Sequence, residues 1–324
     1  MKAAVYTRYG PPDVFEIRDI ERPVPTDDKV LIKVRAASVN PHDWHFMRGT
    51  PYFVRMMAGL RKPNDTRLGI DVAGEVEAIG RNVMQFKPGD QVFGSCRGAF
   101  AEYACASESA LAEKPGNLTF EQAASVPAAA LTALQGLRDK GQLQRRQTVL
   151  INGAAGGVGT FAVQIARSFG ADVTGVCSTR NVDMVRAIGA DHVIDYLQED
   201  FTEGPQRYDL IVDCVGNQSF SKHRHILNPT GISVGVGAPG GRWMIGTVFR
   251  AITAPVVSRF ASQKLIMMMT RPSKQDLAVV RDLMEAGKVT PVIDRCYRLS
   301  EVPEAVRYVE KGHARGKVVV TVAG

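Results

Sequence analysis

Four glycines stand where an apolar run changes into a helical pattern, in the order of a strand, a tight turn and a helix. Residues 148–151 are β-branched or apolar, and apolar residues recur at helical spacing over 161–169. Glycine at such a turn permits a sharp bend, lets a phosphate approach the backbone, and lets the helix pack closely on the strand. The first amides of the helix would face that phosphate from the positive end of the helix dipole. We therefore predict a dinucleotide pyrophosphate site, rather than an ordinary strand-to-helix connection, at Gly153, Ala155, Gly156, Gly157, Val158 and Gly159.

The residues after the next strand-like run indicate which dinucleotide is expected. That run covers 172–177, and in an NAD site it usually ends with an Asp or Glu that accepts from the ribose hydroxyls. This chain has Ser178, Thr179 and Arg180 there instead. Two hydroxyls and a guanidinium suit a 2′-phosphate, because Arg presents a planar set of donors with a permanent charge. We expect NADPH, with an ordinary exposed loop as the alternative for the two hydroxyl residues.

Length and composition are those of a soluble α/β protein with two domains. The chain has 324 residues, of which 45% are hydrophobic, 31 are glycine and 17 are proline. Its net charge of +7 comes from scattered basic residues and not from a basic stripe interleaved with aromatic residues. Binding of an anionic cofactor explains that charge equally well. We expect no nucleic-acid partner.

Cysteine usage and the absence of long apolar segments bear on location. Five cysteines without a CxxC pair indicate reduced thiols, and hence a cytoplasmic protein. The N-terminal residues run directly into strand-like sequence and contain no apolar signal core. No run approaches about 20 uncharged apolar residues, so no membrane span is expected.

Three segments of the chain, each with its own pattern of apolar residues, are expected to form the elements that position the predicted cofactor residues. Residues 1–115 alternate short apolar runs with Pro, Gly and Asp clusters, which predicts a small, barrel-like β domain. Residues 119–140 predict two helices separated at Pro127. From 148 to about 235 strand patterns at 148–152, 172–177, 192–195, 209–215 and 232–236 alternate with helix patterns, which predicts a parallel, doubly wound sheet with right-handed crossovers.

The last third of the chain returns from this sheet to the first domain. Residues 239–263 fit a surface helix pair, a lid over the cofactor or a membrane-touching patch, and simple packing is the preferred interpretation. A strand at 264–269, an amphipathic helix at 274–285 and a closing strand at 317–322 are predicted after it. The expected domains are 1–125 with 270–324, and 126–269.

Several motifs follow one another along nearly the whole chain. They are AASVNPHDW at 36–44, GIDVAGEVEAIG at 69–80, KPGDQVFG at 87–94, GAFAEYA at 98–104, NGAAGGVG at 152–159, GADHVIDY at 189–196 and GHARGKVVV at 312–320. In this order they resemble the zinc-free, quinone oxidoreductase-like branch of the medium-chain dehydrogenase/reductase superfamily. The resemblance implies an α/β fold in which a Rossmann doubly wound domain is inserted into a GroES-like β-rich substrate domain, with the active site between them. It also implies a homodimer or a tetramer joined through the Rossmann domains.

The same resemblance implies that no metal takes part. Zinc-dependent members of the superfamily place three catalytic ligands at positions that align with Asn40, Ile70 and approximately Ala128. None of these side chains is a workable zinc ligand. The four-cysteine lobe that holds a structural zinc in those relatives is also missing, because only Cys96 and Cys105 lie in that region.

Without a metal Lewis acid, the implied reaction is reduction of an electron-poor acceptor, such as a quinone or an α,β-unsaturated carbonyl. Hydride from NADPH would add to the β-carbon, hydrogen bonds would hold the developing enolate, and water or a weak acid would protonate the α-carbon. The resemblance puts Asn40 near the acceptor oxygen, with His42 as a second donor and Asp43 and Tyr52 as further candidates. The alternatives are a turn cap for Asn40, a surface position for His42 and a helix cap for Asp43.

Further cofactor contacts are carried over from the family by position. Thr132 is expected near the nicotinamide or the phosphates, and Tyr196 beside the 2′-phosphate. Arg315 and Lys317 are candidates for an additional cation. Strand ends expected near the ribose and nicotinamide are Cys214, Val215, Gly216, Val236, Gly237 and Ala238. The alternatives are a core threonine for Thr132, a solvated turn for the two basic residues and a small buried hydrophobe for Cys214.

Other classes of function compete with this interpretation. An NADPH-binding structural or redox-sensing protein with little catalysis would keep the same phosphate loop. An alcohol or ketone oxidoreductase would need a metal, and an RNA-binding protein would need a dedicated basic motif, which this chain lacks. Turnover of quinones and enones separates the first of these from a reductase.

Overall fold

A computed structural model describes residues 1–236 and 262–322, which form two compact units. The first unit comprises Met1–Leu131, Pro272–Ala286 and Pro291–Gly324, and the second comprises Thr132–Arg271 and Gly287–Thr290. The divisions predicted from the sequence lie at 125/126 and 269/270. The predicted contacts of Gly237 and Ala238, and nearly all of 239–263, lie outside the described residues.

Three sheets account for the strands of the described chain. The strands are β1 (Lys2–Tyr6), β2 (Phe15–Asp19), β3 (Lys29–Val39), β4 (Asp71–Ile79), β5 (Gln91–Ser95), β6 (Tyr103–Ser107), β7 (Leu111–Glu113), β8 (Thr148–Asn152), β9 (Asp172–Cys177), β10 (His192–Asp195), β11 (Tyr208–Asp213), β12 (Leu227–Gly235), β13 (Lys264–Met267), β14 (Ile293–Arg298) and β15 (Lys317–Thr321). β1 pairs with β2, and a larger sheet of the first unit has the order β14-β15-β3-β4-β5-β7, with β6 also on β3. The third sheet, in the second unit, has the order β10-β9-β8-β11-β12-β13.

All pairings in the sheet of the second unit are parallel, which confirms the predicted doubly wound sheet. Its central strands β8 and β11 are buried along most of their length, because helices cover both faces of such sheets. The strand order reverses between β8 and β11, and the carboxyl ends of strands at such a reversal are where dinucleotides bind.

Several strand ends were predicted wrongly: β13 ends at Met267 and not at 269, and β15 ends at Thr321 and not at 322. The largest difference is at the start of β12. β12 begins at Leu227, and not at Ile232, because Leu227 already pairs with Tyr208 of β11. Ile232 pairs with Leu210, and the intervening residues 228–231 form a bulge without partners in β11. The predicted strands at 148–152, 172–177 and 192–195 are confirmed residue for residue.

Helices connect the strands. They are α1 (Pro41–Arg48), α2 (Phe53–Ala58), α3 (Phe120–Ala124), α4 (Pro127–Leu134), α5 (Gly157–Ser168), α6 (Val182–Ala187), α7 (Phe220–Ile226), α8 (Lys274–Glu285) and α9 (Val302–Glu310). The predicted break at Pro127 is confirmed, because α4 begins at this proline and continues as π-helical turns over Gln135–Lys140. Within the described ranges, no helix has the length and apolar character needed to cross a membrane.

Neighbouring strands of the larger sheet bring polar residues together inside the first unit. β15 lies beside β3, and β3 lies beside β4, with Ser38 directly opposite Asp71. α1 begins immediately after β3, so its first turn adjoins the same place. The surrounding core is apolar and includes the fully buried Ile32 and Met47. Buried polar side chains in such a core must form hydrogen bonds with one another.

Candidate functional site

The centre of the polar cluster is the carboxylate of Asp71, which is fully buried at the start of β4. Its Oδ2 accepts from Ser38 Oγ at 2.8 Å and from Asn40 Nδ2 at 2.9 Å. Its Oδ1 accepts from the backbone amide of Ala128 at 2.9 Å. Three uncharged donors therefore hold this carboxylate, and each bond has good length.

A buried lysine stands beside this carboxylate. Lys317, the first residue of β15, is 4% exposed, and its Nζ donates to Asn40 Oδ1 at 2.6 Å. The same Nζ lies 3.5 Å from Asp71 Oδ2. Burial lowers the pKa of Lys317 below its usual range. The preceding residue must be glycine, because Gly316 has φ +88° and a Cβ there would lie 2.3 Å from the carbonyl oxygen of Val292.

Asn40 and Asp43 are bonded to each other across the first turn of α1. The amide of Asn40 donates to Asp43 Oδ2 at 2.8 Å, and the amide of Gly69 donates to Asp43 Oδ1 at 3.0 Å. The side-chain nitrogen of Asn40 also donates to the Ser38 carbonyl at 3.2 Å. Since its oxygen accepts from Lys317, every polar atom of the Asn40 carboxamide is engaged within the cluster. Its proposed role as a donor to the acceptor oxygen stays a prediction.

The other two candidates for the catalytic set are more accessible. The ring of His42 stacks on Phe46 with centroids 4.1 Å apart, and its Nδ1 lies 3.8 Å from Asp43 Oδ1. Tyr52 is exposed immediately before α2, with the guanidinium of Arg55 5.2 Å from its ring centroid. The predicted set thus has a buried half, Asn40 and Asp43, and an accessible half.

In the second unit, the glycine-rich loop has the shape that a pyrophosphate site needs. Gly153 has φ +82°, Gly156 is extended, and the first hydrogen bond of α5 runs from the amide of Thr160 to the carbonyl of Gly156. The amides between these two residues therefore precede the helical hydrogen bonds, and no side chain caps the helix. A Cβ at Gly159 would lie 2.1 Å from the Gly153 carbonyl oxygen. The loop fits a dinucleotide phosphate group.

A buried carboxylate at the end of β11 holds the neighbouring loop in place. Asp213 Oδ1 accepts from Asn152 Nδ2 at 2.9 Å and from the amides of Val215 at 3.1 Å and Gly216 at 2.8 Å. The amide of Cys214 donates to the carbonyl of Asn152 at 3.0 Å. These bonds join the carboxyl ends of β8 and β11. Sequence reasoning missed Asp213, although an aspartate that ends an apolar run is a detectable signal.

The end of β9 carries the residues predicted to contact a 2′-phosphate. Thr179–Asn181 form a short 3-10 turn, and the hydroxyl of Thr179 donates to Asp195 at the end of the adjacent β10. The second oxygen of Asp195 accepts from the amide of Leu197 at 3.0 Å. The Asp195 carboxylate, which was not predicted from the sequence, thus lies beside the end of β9. Both of its oxygens accept hydrogen bonds from the protein. Tyr196, next in the chain, is half exposed.

Three further candidates are spread over both units. The Thr132 hydroxyl, on α4, is hydrogen-bonded with the hydroxyl of Thr270. The Val236 amide, after β12, donates to the Asp213 carbonyl at 3.0 Å. Arg315 is exposed, and its amide donates to Asp294. Cofactor contacts of these residues, and of Lys317, stay predictions.

The side chains at the positions aligned with zinc ligands do not form a metal site. They are an amide bonded to Lys317, the aliphatic Ile70 and the methyl group of Ala128. Among the residues that the structure describes, no three His, Cys, Asp or Glu side chains cluster in a way that could hold a metal ion. Zinc independence stays a prediction from the donor set.

Comparison with known proteins gives consistent matches over the whole chain. Residues 26–116 match the model of the alcohol dehydrogenase GroES-like domain, which agrees with the predicted fold class, and residues 188–320 match a model described as zinc-binding dehydrogenase. The chain is 35% identical to the mitochondrial NAD(P)H oxidoreductase RTN4IP1 of Mus musculus, over 99% of this chain and 89% of that protein. It is 34% identical to 2-methylene-furan-3-one reductase of Solanum lycopersicum, over 99% and 79%. The solved quinone oxidoreductase of Coxiella burnetii superposes with a TM-score of 0.88 at 32% identity, covering 100% and 99% of the two chains.

Proposed function

The chain belongs to the medium-chain dehydrogenase/reductase superfamily, in its quinone oxidoreductase-like branch, and from this premise we propose that it is a zinc-independent, NADPH-dependent reductase of quinones or α,β-unsaturated carbonyls. The single observation that carries the proposal is the side-chain set at Asn40, Ile70 and Ala128, which offers no workable zinc ligand. Relatives named quinone oxidoreductase and 2-methylene-furan-3-one reductase, whose named substrate is an α,β-unsaturated ketone, support the acceptor class.

The chain's own residues supply binding and orientation. The amides that precede Thr160 would hold the pyrophosphate, and Asp213 fixes the loop beside them. NADPH, when bound, would supply the hydride for the β-carbon of the enone. The π electrons would then move to the carbonyl oxygen, and water would protonate the α-carbon. An electron-poor acceptor needs only donors at that oxygen, which polar residues of the first unit can provide without a metal.

The preference for NADPH over NADH is proposed to depend on Arg180. Arg180→Ala should raise KM for NADPH by about 10–100-fold, because hydrogen bonds to a charged group contribute about 1.5–3 kcal/mol. KM for NADH should change less than about twofold, since NADH lacks the 2′-phosphate. Steady-state kinetics with both cofactors measures this, with Arg186→Ala on the exposed side of α6 as the matched control. Equal weakening of both cofactors would mean that Arg180 does not read the phosphate.

The cysteines favour an enzyme over a thiol-based redox sensor. Desolvation raises the pKa of Cys177 to about 11 and also raises the pKa of Cys96 and Cys214. The pKa values of Cys105 and Cys296 are raised by the same cause. A sensor thiol needs a lowered pKa, because the thiolate is the reactive form.

Turnover by the purified protein tests the proposed function directly. We expect oxidation of NADPH with para-benzoquinone, phenanthrenequinone and methyl vinyl ketone, slower oxidation of NADH, and no zinc by elemental analysis of the same sample. Tight NADPH binding without turnover of any acceptor would instead favour the structural or sensing alternative. Stoichiometric zinc would overturn the proposed metal-free site.

Two accompanying proposals concern assembly and location. We propose a homodimer joined through the Rossmann domain, in keeping with the family resemblance. A cytoplasmic location stays a prediction, and the names of relatives include a mitochondrial form.

A further inference from the structure

The Lys317 ammonium is not required to satisfy the carboxylate beside it. Asp71 already accepts three bonds of 2.8–2.9 Å from Ser38, Asn40 and the Ala128 amide. The ammonium is farther away, at 3.5 Å, and its short bond of 2.6 Å goes to the uncharged oxygen of Asn40. Burying a cation is costly unless it is closely paired with an anion. Packing and hydrogen bonding of the cluster therefore do not explain why a charged ammonium is buried here.

The ammonium also retains donor capacity. A lysine has three N–H donors, and two of them are directed to Asn40 and Asp71. Among the described residues, the third has no hydrogen-bond acceptor. The nearby carboxylate of Asp43 does not take it, because both of its oxygens accept from the backbone amides of Asn40 and Gly69.

We propose that the Lys317 ammonium binds the carbonyl oxygen of the acceptor and stabilises the negative charge that develops there during hydride transfer. This inference rests on the proposed function and names the group that replaces a metal Lewis acid. Two of the three positions aligned with zinc ligands, Asn40 and Ala128, contact this Lys317–Asp71 pair directly. The pair thus lies beside two positions that the resemblance aligns, the second of them approximately, with zinc ligands. Asn40 becomes a positioning residue, since its amide hydrogens are already bonded to Ser38 and Asp71.

Kinetics of two variants separates this role from a purely structural one. Lys317→Met removes the cation and keeps the stem, and Lys317→Met with Asp71→Asn removes both buried charges together. For both we expect kcat to fall by about 100-fold with the quinone and the enone, the usual effect of deleting one oxyanion donor. The Kd for NADPH should stay within about twofold. Lys311→Met, an exposed charge in the same segment, is the matched control and should keep kcat. Recovery of kcat in the double variant would mean that the ammonium only balances Asp71.

The pH profile gives a readout that packing would not affect. The donor is the charged form, so kcat should fall as pH rises through the lowered pKa of Lys317, below the usual range of a lysine. Asp71 and Asp43 are the charged groups that oppose this lowering. The alkaline decrease should be present in the wild-type protein and absent from both Lys317 variants. An alkaline decrease of the same shape in the variants would overturn the assignment.

A phenol binds an oxyanion site without any turnover, so it tests the ammonium independently of the proposed reaction. Bound 4-nitrophenol should ionise at a lower pH than the free phenol in the wild-type protein with NADP⁺, and this shift in phenolate absorbance should disappear in Lys317→Met. A shift without any quinone or enone turnover would keep the oxyanion site and reject the proposed reaction. Turnover with no phenolate shift, and with kcat of Lys317→Met within about threefold of wild type, would reject the oxyanion site alone.

Discussion

Replacing Gly159 with alanine should weaken NADPH binding by about 100-fold or more. The added Cβ would lie 2.1 Å from the Gly153 carbonyl oxygen and 2.7 Å from the Ala154 Cα. Both are backbone atoms, so α5 must move away from the turn and carry its first amides with it. Those amides and the helix dipole are the proposed pyrophosphate ligands, and loss of two charge-assisted bonds of about 1.5–3 kcal/mol each gives this magnitude.

Two further glycine variants make this prediction specific. At Gly156 a Cβ would meet no protein atom closer than 3.4 Å, so Gly156→Ala should keep the melting temperature and weaken binding only if a phosphate approaches that backbone. Gly204→Ala, in the same unit and with no atom within 4 Å, should change neither. Fluorescence titration with NADPH measures the affinity, and thermal melting measures the stability. Wild-type affinity in Gly159→Ala would contradict the role of this loop.

The glycine loop could be predicted because all of its information lies within about a dozen consecutive residues. The turn, the uncapped helix and the close packing of Gly159 follow from neighbouring positions. The same holds for the helix break at Pro127, which depends on one missing amide. The start of the strand at Leu227 was misjudged, because residues 228–231 have the pattern of a turn and only the pairing of Leu227 with Tyr208 on β11 includes them in the strand.

The polar cluster of the first unit could not be assembled from the sequence. Lys317 and Asn40 are 277 positions apart, and no local pattern connects them. From the sequence, Lys317 is therefore predicted to contact the cofactor, and Asp71 is not among the predicted site residues. A signal was available, because Asp71 is a carboxylate within an apolar strand and such a group must find buried partners. Asp195 was missed for a related reason, since it approaches Thr179 from the adjacent strand.

Asp71 has three hydrogen-bond donors besides Lys317, whereas the buried ammonium relies on Asp71 as its nearby opposite charge. Replacing Asp71 is therefore expected to have the largest effect on stability. Asp71→Ala should lower the free energy of unfolding by about 3–5 kcal/mol, because it removes the carboxylate that lies 3.5 Å from a buried ammonium and leaves three donors without their acceptor. Lys317→Met should cost much less, since Asp71 keeps those three donors. Urea unfolding and thermal melting of both variants measure the difference.

A double-mutant cycle tests whether the ammonium is the group that Asp71 compensates. Adding Lys317→Met to Asp71→Ala should recover about 1–3 kcal/mol, the usual range of coupling between contacting residues. Asp28→Ala, which removes an exposed carboxylate bonded to Asn82, should stay within about 0.5 kcal/mol of wild type and serves as the control. A small loss in Asp71→Ala, similar to that of the control, would mean that the ammonium is stabilised by groups other than Asp71. Equal losses in the two single variants would mean that the pair stabilises the fold as an ordinary buried ion pair, which would remove the surplus charge on which the oxyanion role depends.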